Sequence, residues 1–210
     1  MKSILLFILL FISLTAYSHT KKTPLFDKSL QEGDLIFHRS QSSQSLAIAE
    51  ATGSTWSHVG IIVKRNSNWY VFEARQGVEI NSLTSFIDRG RNKEFKIFRF
   101  KAFDTAEEKR NLYSVLNKYF RKPYDIYFEF SEERIYCSEL TYKVMLELTG
   151  QEVGIVNKMK DLRLDGPYVK ELIKRRLTDL GKEVNPEEPI VTPISQMIDT
   201  NLELVMSSRR

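Results

Sequence analysis

The stretch HVGIIVKRNSNWYVFEA, His58 to Ala74, constrains this chain most. Two runs rich in β-branched and aromatic residues flank the polar turn RNSN, which is the pattern of an antiparallel hairpin. Alternate residues of a strand share a face, so His58, Gly60 and Ile62 point the same way. A turn centred near Asn66 and Ser67 sets Glu73 opposite His58 or diagonal to it. A hairpin this apolar is not stable alone, and more strands or a helix must cover it.

The rest of the chain supplies that cover. GDLIFHR (Gly33 to Arg39), GVEI and FKIFRF (Phe95 to Phe100) read as further strands, and TNLELVMSSRR as a C-terminal edge strand with a frayed end. SSQSLAIAEATG reads as a helix capped by Ser42 or Ser43 and ended by Gly53. TAEEKRNLYSVLNKYF begins with Thr105 and Glu108 at capping-box spacing, and YCSELTYKVMLELTG places Cys137, Leu140, Thr141, Val144 and Leu148 on one helical face. The expected class is α+β, an antiparallel sheet packed against helices. With 42% hydrophobic and 11% aromatic residues the chain can bury a core of ordinary size. No repeat or compositional break divides it, so residues 19–210 are expected to form one domain.

The formal charge is a mild +4, with bases and acids interspersed. The one basic run, IKRRL (Ile173 to Leu177), reads as a solvated helix face, and no nucleic-acid partner is expected. Residues 1–18, MKSILLFILLFISLTAYS, carry an early lysine, an apolar run and small residues at Ala16 and Ser18, as a secretory signal peptide does. The run falls short of the ~20 apolar residues that a spanning helix needs. The mature chain is therefore expected in the periplasm or outside the cell, without stable transmembrane insertion once the signal is removed.

Export makes the single cysteine conspicuous, since a lone thiol in an oxidising compartment has no internal partner. Cys137 falls in the first turn of a helix, where the macrodipole and unpaired N–H groups favour a thiolate. A cysteine nucleophile needs an imidazole base oriented by a third group. Of the three histidines, His19 lies at the expected cleavage site, His38 ends a strand, and His58 begins the hairpin's first strand, where Glu73 can reach its far nitrogen; Glu79 is the third residue if the hairpin register is shifted. Each also has a packing reading: a small hydrophobe at a helix start, a hydrogen-bonded core histidine, an exposed strand acid. No cysteine pair, HExxH pattern or histidine spacing suggests a metal or other cofactor.

In their order along the chain, GDLIF, SHVGIIV, VFEA and KPYDIYFE...RIYCSEL resemble the circularly permuted papain-fold hydrolases of the NlpC superfamily, specifically the YiiX-like group. The resemblance runs from Gly33 to about Val205 and includes EEPIVTPISQM (Glu187 to Met197) as the closing segment. It implies a papain-like sheet or partial barrel with the nucleophile at a helix N-terminus, Cys137 as nucleophile, His58 as base then acid, and Glu73 as orienting residue. It further implies Tyr124, in KPYD, as a donor to the oxyanion. Asp34 and Glu139 lie close to matched motifs and read as a turn acid and a first-turn helix acid. The expected reaction is hydrolysis of an amide, a cell-wall peptide being one such substrate, through a thioester. A lipid acyl hydrolase or acyltransferase with the same triad, and a non-catalytic peptide- or lipid-binding module, are the alternatives. Trp56, Tyr127, Phe128 and Phe130 either line an apolar slot or belong to the core.

Overall fold

A computed structural model describes residues 29–208; the segment read as a signal peptide, and Arg209 and Arg210, lie outside the described residues. Six antiparallel strands form one open sheet in the order β4-β3-β2-β1-β5-β8. They are β1 (Leu35–His38), β2 (His58–Arg65), β3 (Asn68–Ala74), β4 (Val78–Ser82), β5 (Phe95–Phe100) and β8 (Leu202–Ser207). The hairpin closes through Asn66 and Ser67, both with positive φ, and pairs Ile61 with Phe72. Two consecutive positive φ angles match the right-handed twist of the flanking strands. The edge strand β8 pairs with β5 across a bulge at Ile97 and Phe98.

Period-two alternation sorts the sheet's side chains into two cores. On one face Leu35, Phe37, Val59, Ile61, Phe72 and Ala74 pack beneath helices α3 (Ala106–Tyr119) and α4 (Cys137–Thr149). On the other, Ile36, Ile62, Val71 and Ile97 pack with Phe86 of helix α2 (Leu83–Arg89), an element the sequence reading had not identified. Burying each such Val, Leu, Ile or Phe stabilises the fold by about 1.5–3 kcal/mol.

Helix α1 (Ser43–Thr52) starts at Ser42, whose side chain accepts from the Ser45 N–H, and ends at Gly53 in the left-handed region. Thr105 and Glu108 form the capping box of α3, and Gly150 closes α4 with a φ of 69°. A smaller unit is built from β6 (Val156–Lys158), helix α5 (Pro167–Arg176), β7 (Pro189–Val191) and the short helix α6 (Pro193–Met197). Helix α5 lies on α1, while β7 and α6 lie against α4. No helix among the described residues is long and apolar enough to cross a membrane.

Candidate active site

Cys137 is the first residue of α4 and is buried. The helix packs on β2, so its first turn meets the end of the strand that begins at His58. The backbone N–H groups of Val59 and Ser138 point at the sulfur. Glu139 accepts the Tyr136 N–H at 3.2 Å and fixes the chain as it enters the helix.

The His58 ring is held from its far side, with Nε2 at 2.6 Å from Glu73 Oε2. That bond commits Nε2 as the donor and leaves Nδ1 toward the thiol. Glu73 is wholly buried, and its other oxygen accepts from Asn81 Nδ2 at 2.9 Å and from the Arg89 guanidinium at the end of α2. The carboxylate is thus hydrogen-bonded on both oxygens, the condition under which a buried charge is tolerable. Glu79, the alternative third residue, pairs with Arg75 at 3.0 Å and with Asn81, away from the imidazole. The ring itself is packed: Phe86 lies 5.5 Å from it and His38, its cross-strand partner on β1, lies at 5.0 Å. His38 is tied through Nδ1 to the Phe86 carbonyl at 3.0 Å.

Electrostatics follow from this packing. Burial opposes the charged form of each group in the triad. For His58 it is outweighed by the Cys137 thiolate, through charge and a hydrogen bond, and by Glu73, so the imidazole rises from 6.5 to about 10. For Cys137 the burial effect is overcome by the charge of His58 and by the donors around the sulfur, and the thiol falls below its ordinary value. Burial also works against Glu73, but the bonds and charges of His58 and Arg89 lower it to about 2. His38 goes the other way, to about 3, because it is buried and faces a charged His58. The favoured state is a thiolate and an imidazolium braced by a carboxylate.

Two recesses meet at this group. An apolar cavity of about 340 Å³ lies between α1 and α5 and has Cys137 in its wall, with Ala47, Ala51, Val169, Leu172 and Ile173 among its lining. A polar groove of about 480 Å³ runs over His58, floored by the serines and glutamines of residues 40–45. Tyr124 lines the groove, and its hydroxyl accepts from Gln44 Nε2 at 2.8 Å. Burial and the Cys137 charge push the phenol well above its usual range, so it keeps its proton and can donate.

Residues 29–206 match the family described as permuted papain-like amidase enzyme, YaeF/YiiX, C92 family. The chain belongs to this permuted papain-like amidase family. A curated relative, "Uncharacterized protein YiiX" of Escherichia coli strain K12, is 38% identical over 170 residues, which is 81% of this chain and 83% of the relative. A crystal structure titled as that of metalloprotein yiiX from Escherichia coli O157:H7 superposes with a TM-score of 0.80 at 36% identity, covering 86% of this chain and 98% of that one. The word metalloprotein belongs to that protein. In this amidase-family chain, among the described residues, no three His, Cys, Asp or Glu side chains gather into a group able to hold a metal ion.

Within this permuted papain-like frame the structure brings Cys137, His58, Glu73 and Tyr124 together. It separates other expectations. Asp34 is more than a turn acid, being buried and ion-paired with Arg99 at 2.8 Å. Glu139 is in the first turn as expected and is buried, and burial raises it to about 7 against Lys143 at 3.0 Å. Tyr127 and Phe128 line the cavity, Phe128 also packing with Phe130 against the cluster around Tyr136 and Tyr142, and Trp56 packs against the main core. Phe128 sits at a φ of 60°, a costly angle for an aromatic residue, under the Arg176 guanidinium. Arg176 corrects the reading of IKRRL as a solvated face: Lys174 and Arg175 are exposed, but Arg176 turns inward. Asn81, Arg89, Gln44 and His38 were not singled out as site residues, because each is recruited by register or by a helix start distant in the chain.

Proposed function

We propose that this chain is a cysteine amidase in which Cys137 is the nucleophile, His58 the base and then the acid, and Glu73 the group that orients and charges the imidazole. The observation that carries this reading is the placement of His58 between the Cys137 thiol and Glu73 Oε2 at 2.6 Å. The thiolate attacks the substrate carbonyl carbon and the C–S bond forms. Negative charge on the carbonyl oxygen is met by the Cys137 backbone N–H, free at the helix N-terminus, and by the Tyr124 hydroxyl that Gln44 holds. The C–N bond breaks as His58 gives its proton to the leaving amine. Water then yields a proton to His58 and its oxygen adds to the thioester; the C–S bond breaks, an acid leaves, and the thiolate returns beside the imidazolium.

A peptide amide, with cell-wall peptides as the natural class for an exported enzyme, fits the polar groove on the His58 side. Export through residues 1–18 belongs to the same proposal and is read out by cell fractionation. The apolar cavity favours a second reading, in which the acyl part is a lipid chain and the enzyme is an acyl hydrolase or acyltransferase.

The deciding experiment is alkylation of Cys137 by iodoacetamide across pH. The expected result is a reactive thiolate well below the ordinary cysteine value of ~8.5, returned toward that value by His58→Ala. An ordinary thiol curve in both proteins would refute the enzyme reading and leave a binding module. Turnover of peptide amides and of acyl lipids, with Cys137→Ala as control, then separates the substrate classes.

A further inference from the structure

The polar groove beside His58 is lined by Arg75, Arg89 and Arg176 and by no aspartate or glutamate. Two of these arginines are answered from outside the groove, Arg75 by Glu79 and Arg89 by Glu73. Arg176 is not. Its hydrogen bonds go to neutral oxygens, the Ile126 carbonyl at 2.8 Å and Gln44 Oε1 at 2.6 Å. A guanidinium offers five N–H donors in a fork suited to a carboxylate or phosphate. Asp125 lies close enough to act on Arg176 by charge, but its buried Oδ2 has no hydrogen-bond partner, so it does not close an ion pair. Burial lowers Arg176 below its ordinary value, as expected for a cation drawn out of water without a counterion.

Its position gives this charge a use. Arg176 lines both the groove that holds His58 and the apolar cavity that holds Cys137. Gln44 connects it to the Tyr124 hydroxyl, so the chain Arg176–Gln44–Tyr124 runs from the two recesses to the sulfur's surroundings. Building on the reading of Cys137 as nucleophile, we infer that Arg176 is a specificity residue that takes an anionic group of the substrate, a carboxylate or a phosphate, within a few bonds of the carbonyl under attack. Substrates with a free acid near the scissile bond are then preferred over their amidated or dephosphorylated counterparts.

The test is calorimetric binding to the full-length Cys137→Ala protein, which measures recognition whether or not Cys137 is a nucleophile. Two probe pairs are compared: an N-acetyl dipeptide with a free C-terminal carboxylate against its C-terminal amide, and dihexanoyl phosphatidate below its micelle concentration against dihexanoylglycerol. The charged member of at least one pair is expected to bind roughly 10- to 100-fold more tightly, the worth of a charge-assisted hydrogen bond. Which pair responds tells whether the anion is a peptide carboxylate or a lipid phosphate. The preference should weaken with added salt, vanish in Arg176→Gln and persist in part in Arg176→Lys. Equal binding of charged and neutral members, no saturable binding by either pair, or a preference that survives Arg176→Gln would overturn the inference. Failure of the nucleophile reading shows separately, as an unreactive thiol in the alkylation experiment.

Discussion

Glu73 reaches the His58 ring from a strand position beside Gly60, one step beyond the Ile61–Phe72 pair, and not from a position directly opposite His58. The diagonal exists because Gly60 has no side chain. A Cβ there would lie 2.4 Å from Val71 Cγ1, 3.1 Å from the Phe72 carbonyl and 3.2 Å from Glu73 Cβ.

Gly60→Ala is therefore expected to cost about 1–3 kcal/mol of stability through overpacking. It should also lower activity by more than the loss of folded protein explains, because Glu73 is displaced. Urea unfolding alongside turnover per folded molecule checks this, and a silent substitution would contradict the packing argument.

Removing the carboxylate's charge while keeping its shape isolates its role. Glu73→Gln should reduce kcat/KM by roughly 10²- to 10⁴-fold. Since Glu73 helps hold His58 at about 10, the alkaline limb of the pH profile should move down in this variant. A profile with its alkaline limb unmoved would count against the orienting role.

Arg89→Gln reads out the next contact. Arg89 helps keep Glu73 at about 2, so its loss raises that carboxyl and weakens the bond to the imidazole. The expected result is a smaller loss than in Glu73→Gln, confined to kcat, with the iodoacetamide reactivity of Cys137 moving toward higher pH. An unchanged thiol curve would make Arg89 a purely structural residue.

Acid stability should carry the mark of three groups. His38 is pushed from 6.5 to about 3 in the fold, so below pH 6.5 the unfolded chain takes a proton that the folded chain refuses. Glu73 is lowered from 4.5 to about 2, so its contribution is complete above pH 4.5 and is lost as pH falls through 2. Glu139 is raised from 4.5 to about 7, so the folded chain takes its proton first and the gain offsets His38 between pH 6.5 and 4.5; stability should be nearly level there and decline below 4.5. In a urea-midpoint profile His38→Gln should make stability rise as pH falls from 6.5 to 4.5, and Glu73→Gln should flatten the decline below 4.5; slopes identical to the parent would contradict both assignments.

The cavity separates the two substrate readings. Ala47→Leu places extra carbon atoms in a space lined by α1 and α5. If the cavity takes an acyl chain, turnover of long-chain substrates should fall while short peptide amides are spared. A uniform effect on both would show that the cavity is not a chain-length gauge.

Much of this was legible because it is local. Asn66 and Ser67 set the hairpin, Thr105 and Glu108 start α3, and Gly53 and Gly150 end α1 and α4; each acts within a few residues. Strand alternation brought His58 within reach of Glu73 and a helix start placed Cys137, while the meeting of the two was implied by the family resemblance. What was not legible depends on placement at long range. Arg89 contributes through α2, whose brief LTSFIDR segment has little periodic signal, and Gln44 and Arg176 meet across α1 and α5, far apart in the chain. Tyr127 lines the cavity while Phe130, in the same loop, packs into a core, a difference of direction that composition cannot encode.

The junction of an oily recess that holds Cys137 with a basic, hydroxyl-rich trough that holds His58 has a directional consequence. Under the proposed mechanism, these unlike recesses orient a molecule with dissimilar ends, so the half retained on sulfur and the half released first are chosen before any bond changes.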